Sequence, residues 1–237
     1  IDDKKEIDPK LRLIFQLILV YFTLTNLQLN KIELPLKLSI FLTLTFWVYL
    51  INITNFIDGS DGHCAMHVLF FMIGILIMSY IRETNLFSNI LAFILIPILS
   101  VFLIFFNKPR AKAFMGDAGS IFLGFIVGFI ILEYVIMQKE YFVISLFLYP
   151  ILDCSITLIK KTLKGHYPWV RLSDYYFLIP IRISKIHGKV FVSTFIYNIF
   201  NLISFIMQLK YSEFFFIFNL ILSFVLLFYF RSFSDER

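Results

Sequence analysis

The sequence predicts an all-α polytopic membrane protein, a single bundle of about eight transmembrane helices. Of its 237 residues, 59% are hydrophobic, 31 are Phe and only 16% are charged. A soluble domain carries roughly a quarter of its residues as charges. Apolar runs long enough to cross a bilayer recur along the whole chain, so hydrocarbon is the solvent each segment must satisfy. The two cysteines, Cys64 and Cys154, lie in or beside such runs and read as small packing residues rather than a disulfide framework.

The chain starts at Ile1 with charged residues directly after it and no signal-peptide pattern. It reads as a fragment or processed product that begins partway through something longer. Spans are expected over 11–28, 36–54, 64–80, 88–106, 118–137, 141–159, 190–208 and 214–230. Each is close to the ~20 residues a helix needs to cross ~30 Å of hydrocarbon. Asp8-Pro9 supplies an N-cap and a proline at the first helical position, which starts the first span. Pro97 and Pro150 fall inside spans and are expected to kink them. The connections are short except for a long basic loop over 160–189, part of one transmembrane domain spanning 1–237.

Basic residues set the orientation. With the N-terminus in the cytoplasm, that side holds 16 of the 21 Lys and Arg, and the other side keeps Lys31, Lys37, Arg82, Lys139 and Lys210. This is the positive-inside pattern.

The polar residues then gather on one side. Asp2 and Asp3 precede the first span. Asn52-Ile-Thr-Asn55-Phe-Ile-Asp58-Gly-Ser-Asp61-Gly62 ends the second, Asn107 through Asp117 joins the fourth to the fifth, and Asp153 lies in the cytoplasmic half of the sixth. Carboxylates at a membrane are costly unless paired, hydrated or bound to a cation. On a helix, Asn52, Asn55 and Asp58 share about a third of the circumference. Gly59 and Gly62 then permit a sharp turn. Hard oxygen donors at such a turn suit Mg²⁺ and phosphate; the bland alternative is a polar helix end.

Asp117 reads equally as the N-cap of the fifth span or as a metal ligand at its mouth. Lys108, Arg110 and Lys112 either hold a diphosphate or simply follow the positive-inside rule. The long loop, with Tyr167, Trp169, Tyr175, Tyr176 and Phe177, either stacks a base or lies on anionic lipid. His63 and His67 stand four apart without the Glu of a zinc protease motif, which speaks against zinc.

Taken in order, these clusters resemble the signature of the polyprenyl-phosphate N-acetylhexosamine-1-phosphate transferases. That family holds the cell-wall phospho-N-acetylmuramoyl-pentapeptide transferase and the enzymes that start O-antigen and teichoic-acid chains. Asp2-Asp3, with Lys10, Arg12 and Gln16 downstream, is similar to its aspartate pair. Asn52-x-x-Asn55-Phe-x-Asp58-Gly-x-Asp61-Gly62 is similar to its second motif, and Asn107-x-x-x-Ala111-Lys112-x-Phe-Met-Gly-Asp117-x-Gly-Ser120 to its third. Pro150-Ile-Leu-Asp153 resembles a segment of the O-antigen branch. The family's histidine-rich last loop is replaced here by His166-Tyr-Pro-Trp-Val-Arg171, a departure that points away from the muramoyl enzyme and toward an undecaprenyl-phosphate N-acetylglucosamine-1-phosphate transferase-like branch.

The resemblance implies the family's helical bundle without roughly its first three spans. It implies Mg²⁺-dependent transfer of a sugar phosphate from a UDP-sugar to polyprenyl phosphate at the inner membrane, with the site facing the cytoplasm and Mn²⁺ as an alternative ion. Asp2, Asp3, Asp58 and Asp61 become catalytic candidates, with Asp117 and Asp58 as metal ligands. Lys10, Arg12, Asn52, Asn55, Asn107, Lys112 and Arg171 become substrate-binding candidates. The expected partners are the UDP-sugar, polyprenyl phosphate and lipid, with a homodimer open and no nucleic acid. The rival class is a transporter of a polar solute, whose site would sit near mid-membrane on broken helices.

Overall fold

In hydrocarbon each backbone N–H and C=O must be paired within its own segment, and the apolar runs meet that demand as helices. The computed structural model describes residues 8–24, 27, 35–84, 86–165, 175–184 and 187–235, with no strand among them. The helices are α1 Pro9–Leu24, α2 Leu36–Phe56, α3 His63–Arg82, α4 Phe87–Phe102, α5 Gly116–Gln138, α6 Leu148–Leu163, α7 Ile179–Ser184, α8 His187–Lys210 and α9 Phe215–Ser232. Short turns extend several of them: a π turn Leu103–Asn107 after α4, and 3-10 turns Tyr141–Phe147, Tyr176–Leu178 and Phe233–Asp235.

Seven segments among the described residues are long and apolar enough to cross a membrane: all those expected from 36–54 onward. The chain is a multi-pass membrane protein. Of the first expected span, residues 25, 26 and 28 lie outside the described residues; α1 as described has 16 residues. Its start is as expected, with the Lys10 N–H donating to the Asp8 carboxylate at 2.9 Å.

The two prolines act differently from each other. Pro97 lies inside α4 and withholds an N–H from the carbonyl four residues back. Pro150, expected to kink its span, instead sits in the first turn of α6, where a missing N–H costs little. The irregularity of that span is the 3-10 turn just before it. The long loop expected over 160–189 is also partly helical, since α6 runs on to Leu163 and α7 occupies Ile179–Ser184.

The packing that places the site is between α2 and α5. Ser120, Gly124 and Gly128 recur every four residues on α5, a small-xxx-small stripe that lets membrane helices approach backbone to backbone. A Cβ on Gly124 would lie 2.8 Å from Ile51 Cα and 2.9 Å from Thr54 Cβ, and one on Gly128 would lie 2.2 Å from Trp47 Cδ1. The Trp47 indole N–H donates to the Phe125 carbonyl at 2.9 Å across the same seam. Gly124→Ala should therefore destabilise the bundle by roughly 1–3 kcal/mol, because no rotamer change moves a backbone atom. A lowered thermal midpoint of the purified chain in detergent checks this.

The other end of the bundle is tied separately. Arg82 pairs with Glu140 at 2.8 Å, and buried Glu133 accepts from the Ser88 N–H at 3.0 Å, capping α4. α3 and α5 are mostly buried, whereas α4 and α9 turn most of their apolar surface outward.

Candidate active site

The close seam between α2 and α5 carries Asn55, near the end of α2, up against the start of α5. Its amide N–H groups donate to Asp117 Oδ1 at 2.8 Å and Ser120 Oγ at 2.9 Å. Asp117's other oxygen is held by the Arg12 guanidinium from α1. One turn along α1, buried Gln16 accepts from the Asn52 amide at 2.9 Å. Three helices, α1, α2 and α5, thus converge at Asp117 through five further polar side chains, Arg12, Gln16, Asn52, Asn55 and Ser120.

Asp117 does not cap α5. It is the second residue of that helix, Met115 occupies the cap position, and no side-chain cap bond forms. Its carboxylate serves Arg12 and Asn55 while still lying where the helix dipole favours negative charge.

Beyond α2 the chain turns at Ile57–Gly62. Asp58 Oδ2 accepts from the Gly116 N–H at 3.0 Å, but Asp58 Oδ1 is buried and has no hydrogen-bond partner. Burial raises the Asp58 pKa from 3.8 to about 7, opposed by backbone N–H groups of Gly116 and Met115 and reinforced by the charge of Asp117.

Asp61 is occupied in another way. Its Oδ2 accepts from the Arg110 and Ala111 N–H groups at 2.8 and 3.2 Å, and its Oδ1 lies 3.2 Å from His187 Nδ1 at the start of α8. Asn107, buried at the end of the π turn, accepts from the Gly62 N–H at 3.0 Å and donates to the Ala113 carbonyl at 2.8 Å. Gly62 has a φ of 71°, and a Cβ there would meet the Phe191 ring at 2.5 Å. Asp61, Gly62 and Asn107 therefore bind the loop after α2, the loop before α5 and the start of α8 into one unit.

Loss of that unit is testable. Asn107→Ala leaves the buried Gly62 N–H without a partner, at a cost of about 1–3 kcal/mol, and releases the Ala113 carbonyl. Trypsin should then cut faster at exposed Arg110 and Lys112 in the variant than in the parent, as read by mass spectrometry.

Of the residues singled out from sequence, Arg12, Asn52, Asn55, Asp58 and Asp117 come together at this junction. Asn107 and Asp61 support it from behind, with every polar atom of their side chains engaged. Lys10 and Lys112 are exposed. Asp2, Asp3, His166 and Arg171 lie outside the described residues. Asp153 is separate from the junction: its carboxylate accepts from Tyr149 OH at 2.9 Å and from the N–H groups of Tyr176 and Phe177 at 2.9 and 3.3 Å. It holds the 3-10 turn on α6. Sequence reasoning passed over His187, whose only signal was its place just before an apolar run.

The donor set suits a hard cation. Among the described residues no group of three or more His, Cys, Asp or Glu is placed to hold a metal. Mg²⁺, however, is commonly bound through one or two carboxylates plus substrate phosphates and water. Asp58 and Asp117, with one buried carboxylate oxygen lacking a partner, fit that pattern.

The glycosyl transferase family 4 model matches residues 1–135, more than half of the chain. The chain belongs to glycosyl transferase family 4. Within the family it is 28% identical over 180 residues to a probable undecaprenyl-phosphate N-acetylglucosaminyl 1-phosphate transferase of Bacillus subtilis, covering 69% of this chain and 49% of that one. A phospho-N-acetylmuramoyl-pentapeptide-transferase of Francisella philomiragia is 28% identical over 170 residues, covering 62% and 46%. A decaprenyl-phosphate N-acetylglucosaminephosphotransferase of Mycolicibacterium smegmatis is 28% identical over 151 residues, covering 55% and 37%. The chain thus spans about half the length, or less, of these family members. No solved structure matches it.

Proposed function

We propose that this chain carries the phosphoryl-transfer site of a UDP-sugar:polyprenyl-phosphate sugar-1-phosphate transferase. An oxygen of the polyprenyl phosphate forms a bond to the β-phosphorus of the UDP-sugar. The bond from that phosphorus to the bridging oxygen breaks, and UMP leaves with the electron pair. Such a reaction demands alignment and charge neutralisation more than covalent chemistry.

The observation that carries this reading is the buried, partnerless oxygen of Asp58 beside Asp117. A Mg²⁺ ion at these two carboxylates would neutralise the diphosphate and the departing UMP. Arg12, already bonded to Asp117, is within reach of phosphate oxygens at the same place. Asn55 orients Asp117, and Asp61 and Asn107 hold the loops that present Asp58. Lys10 and Lys112 add positive charge at the rim. The family resemblance assigns the lipid phosphate to Asp2 or Asp3 and part of the donor to Arg171. Mn²⁺ would serve where Mg²⁺ does.

The positive-inside distribution supports a plasma-membrane protein with this junction toward the cytoplasm. The absence of a His-x-His motif in the sequence favours a start enzyme of O-antigen-like surface polysaccharide over the muramoyl transferase. Membranes carrying the chain, incubated with radiolabelled UDP-sugars, undecaprenyl phosphate and Mg²⁺, should yield lipid-extractable label and UMP. Label accumulating inside sealed vesicles without reaching lipid would favour a transporter instead, and no label in either place would remove both readings.

A further inference from the structure

Membrane helices normally bury apolar or small faces. α8 buries a polar one. Thr194, Asn198, Asn201, Ser204 and Gln208 are all at most 5% exposed and fall within about 120° of the helix circumference at 100° per residue. They extend over roughly 21 Å of helix, most of the hydrocarbon thickness.

The elements facing this stripe are polar too. Thr194 Oγ1 meets His63 Nδ1 of α3 at 2.8 Å. Asn198 faces His67, one turn further along α3. Asn201 donates to the Ser145 carbonyl at 3.1 Å, Ser204 to the Phe215 carbonyl at 3.1 Å, and the Asn219 amide of α9 to Gln208 Oε1 at 3.3 Å. Tyr197 OH and Ser223 Oγ are 2.8 Å apart.

These contacts leave a large remainder. Among the described residues, most of the buried side-chain N and O atoms without a hydrogen-bond partner lie in this one seam. They include His63 Nε2, Ser145 Oγ, Asn201 Oδ1, Gln208 Nε2, Asn219 Oδ1 and the His67 ring nitrogen turned away from Asn198. Each would cost several kcal/mol in hydrocarbon. Turning an amide end for end does not help. Asn198 and Asn201 each donate to a backbone carbonyl, which has no hydrogen to return to an oxygen. The remainder includes acceptors (the Asn oxygens) and a donor (the Gln208 amide), so a charged ligand of either sign suits only part of it. Water donates and accepts, and a buried water typically takes two to four polar partners.

We propose that the α3/α8/α9 seam is a binding site for a file of ordered water molecules. It begins at His63, next to Gly62 of the candidate active site, and runs along α8 to Gln208 and Asn219. This inference is independent of the transferase reading.

Radiolytic footprinting in oxygen-18 water, with the whole chain in lipid nanodiscs, tests it, because radicals form on bound water and label its neighbours. Each residue's rate is normalised to its rate in the denatured chain. His63, His67 and Tyr197 should label several-fold faster than Trp47 and Phe71, which are just as buried but lie in apolar packing. Equal protection of both groups would overturn the proposal. Replacing Asn198 and Asn201 together by Leu should lower His67 labelling to the level of Phe71, and unchanged labelling in a folded variant would also overturn it. The comparison within the parent chain decides the matter even if that variant does not fold.

Discussion

Asp117→Asn is expected to lower sugar-phosphate transfer by about 10³-fold or more, the scale on which active sites lose electrostatic stabilisation of a phosphoryl group. The substitution is nearly isosteric, and the amide oxygen still accepts from Asn55. Ser120 keeps its own bonds to Asn55 and to the Gly116 carbonyl, so the α2–α5 seam stays closed. What is lost is the negative charge that Arg12 and a divalent cation share. Membrane insertion and the size-exclusion profile should match the parent's, while UMP release in the full-length protein falls to background. Parent-like turnover would remove Asp117 from the chemistry.

Asp58→Asn should make the chain inactive yet more stable at pH 8. The carboxyl titrates near 7 in the folded chain against an ordinary value of 3.8. Below 3.8 both states are protonated and the group contributes nothing. Between 3.8 and 7 the folded state retains a proton that the unfolded state has released, so stability falls as pH rises. Above about 7 the full cost of a buried charge is present, roughly 4 kcal/mol at most for three units at 1.36 kcal/mol each. The amide keeps an acceptor for the Gly116 N–H and carries no charge. Without divalent cation, the parent's thermal midpoint should therefore drop between pH 5 and pH 8, and that of the variant should stay level over this range. Mg²⁺ should raise the parent's midpoint at pH 8 and leave the variant's unchanged. A variant less stable than its parent at pH 8 would show that Asp58 is already neutralised by a partner.

Much of the junction was legible because polar residues are conspicuous in a greasy chain. Asn52, Asn55, Asp58, Asn107 and Asp117 each interrupt or end an apolar run, and hydrocarbon allows few reasons for that. Seven spans were legible for the same cause. Partners across the sequence were not. Nothing local tells that Arg12 reaches Asp117, 105 residues away, since that contact needs α1 and α5 both packed on α2. Roles also shifted on pairing. Asp61 and Asp153 look in sequence like members of one acidic cluster, yet backbone N–H groups occupy both, each holding a loop or turn. The polar face of α8 was hidden by averaging: its lipid-facing Phe and Ile residues make the segment read as an ordinary span, while Asn198, Asn201 and Gln208 line the inner side.

The convergence of Asp58 and Asp117 on a single cation is most directly measured by Mn²⁺ electron paramagnetic resonance on the chain in nanodiscs, titrated in the presence of UDP. One bound Mn²⁺ per chain is expected, lost in Asp58→Asn and in Asp117→Asn alike. Mn²⁺ retained in either variant, or absent from the parent, would contradict a shared site.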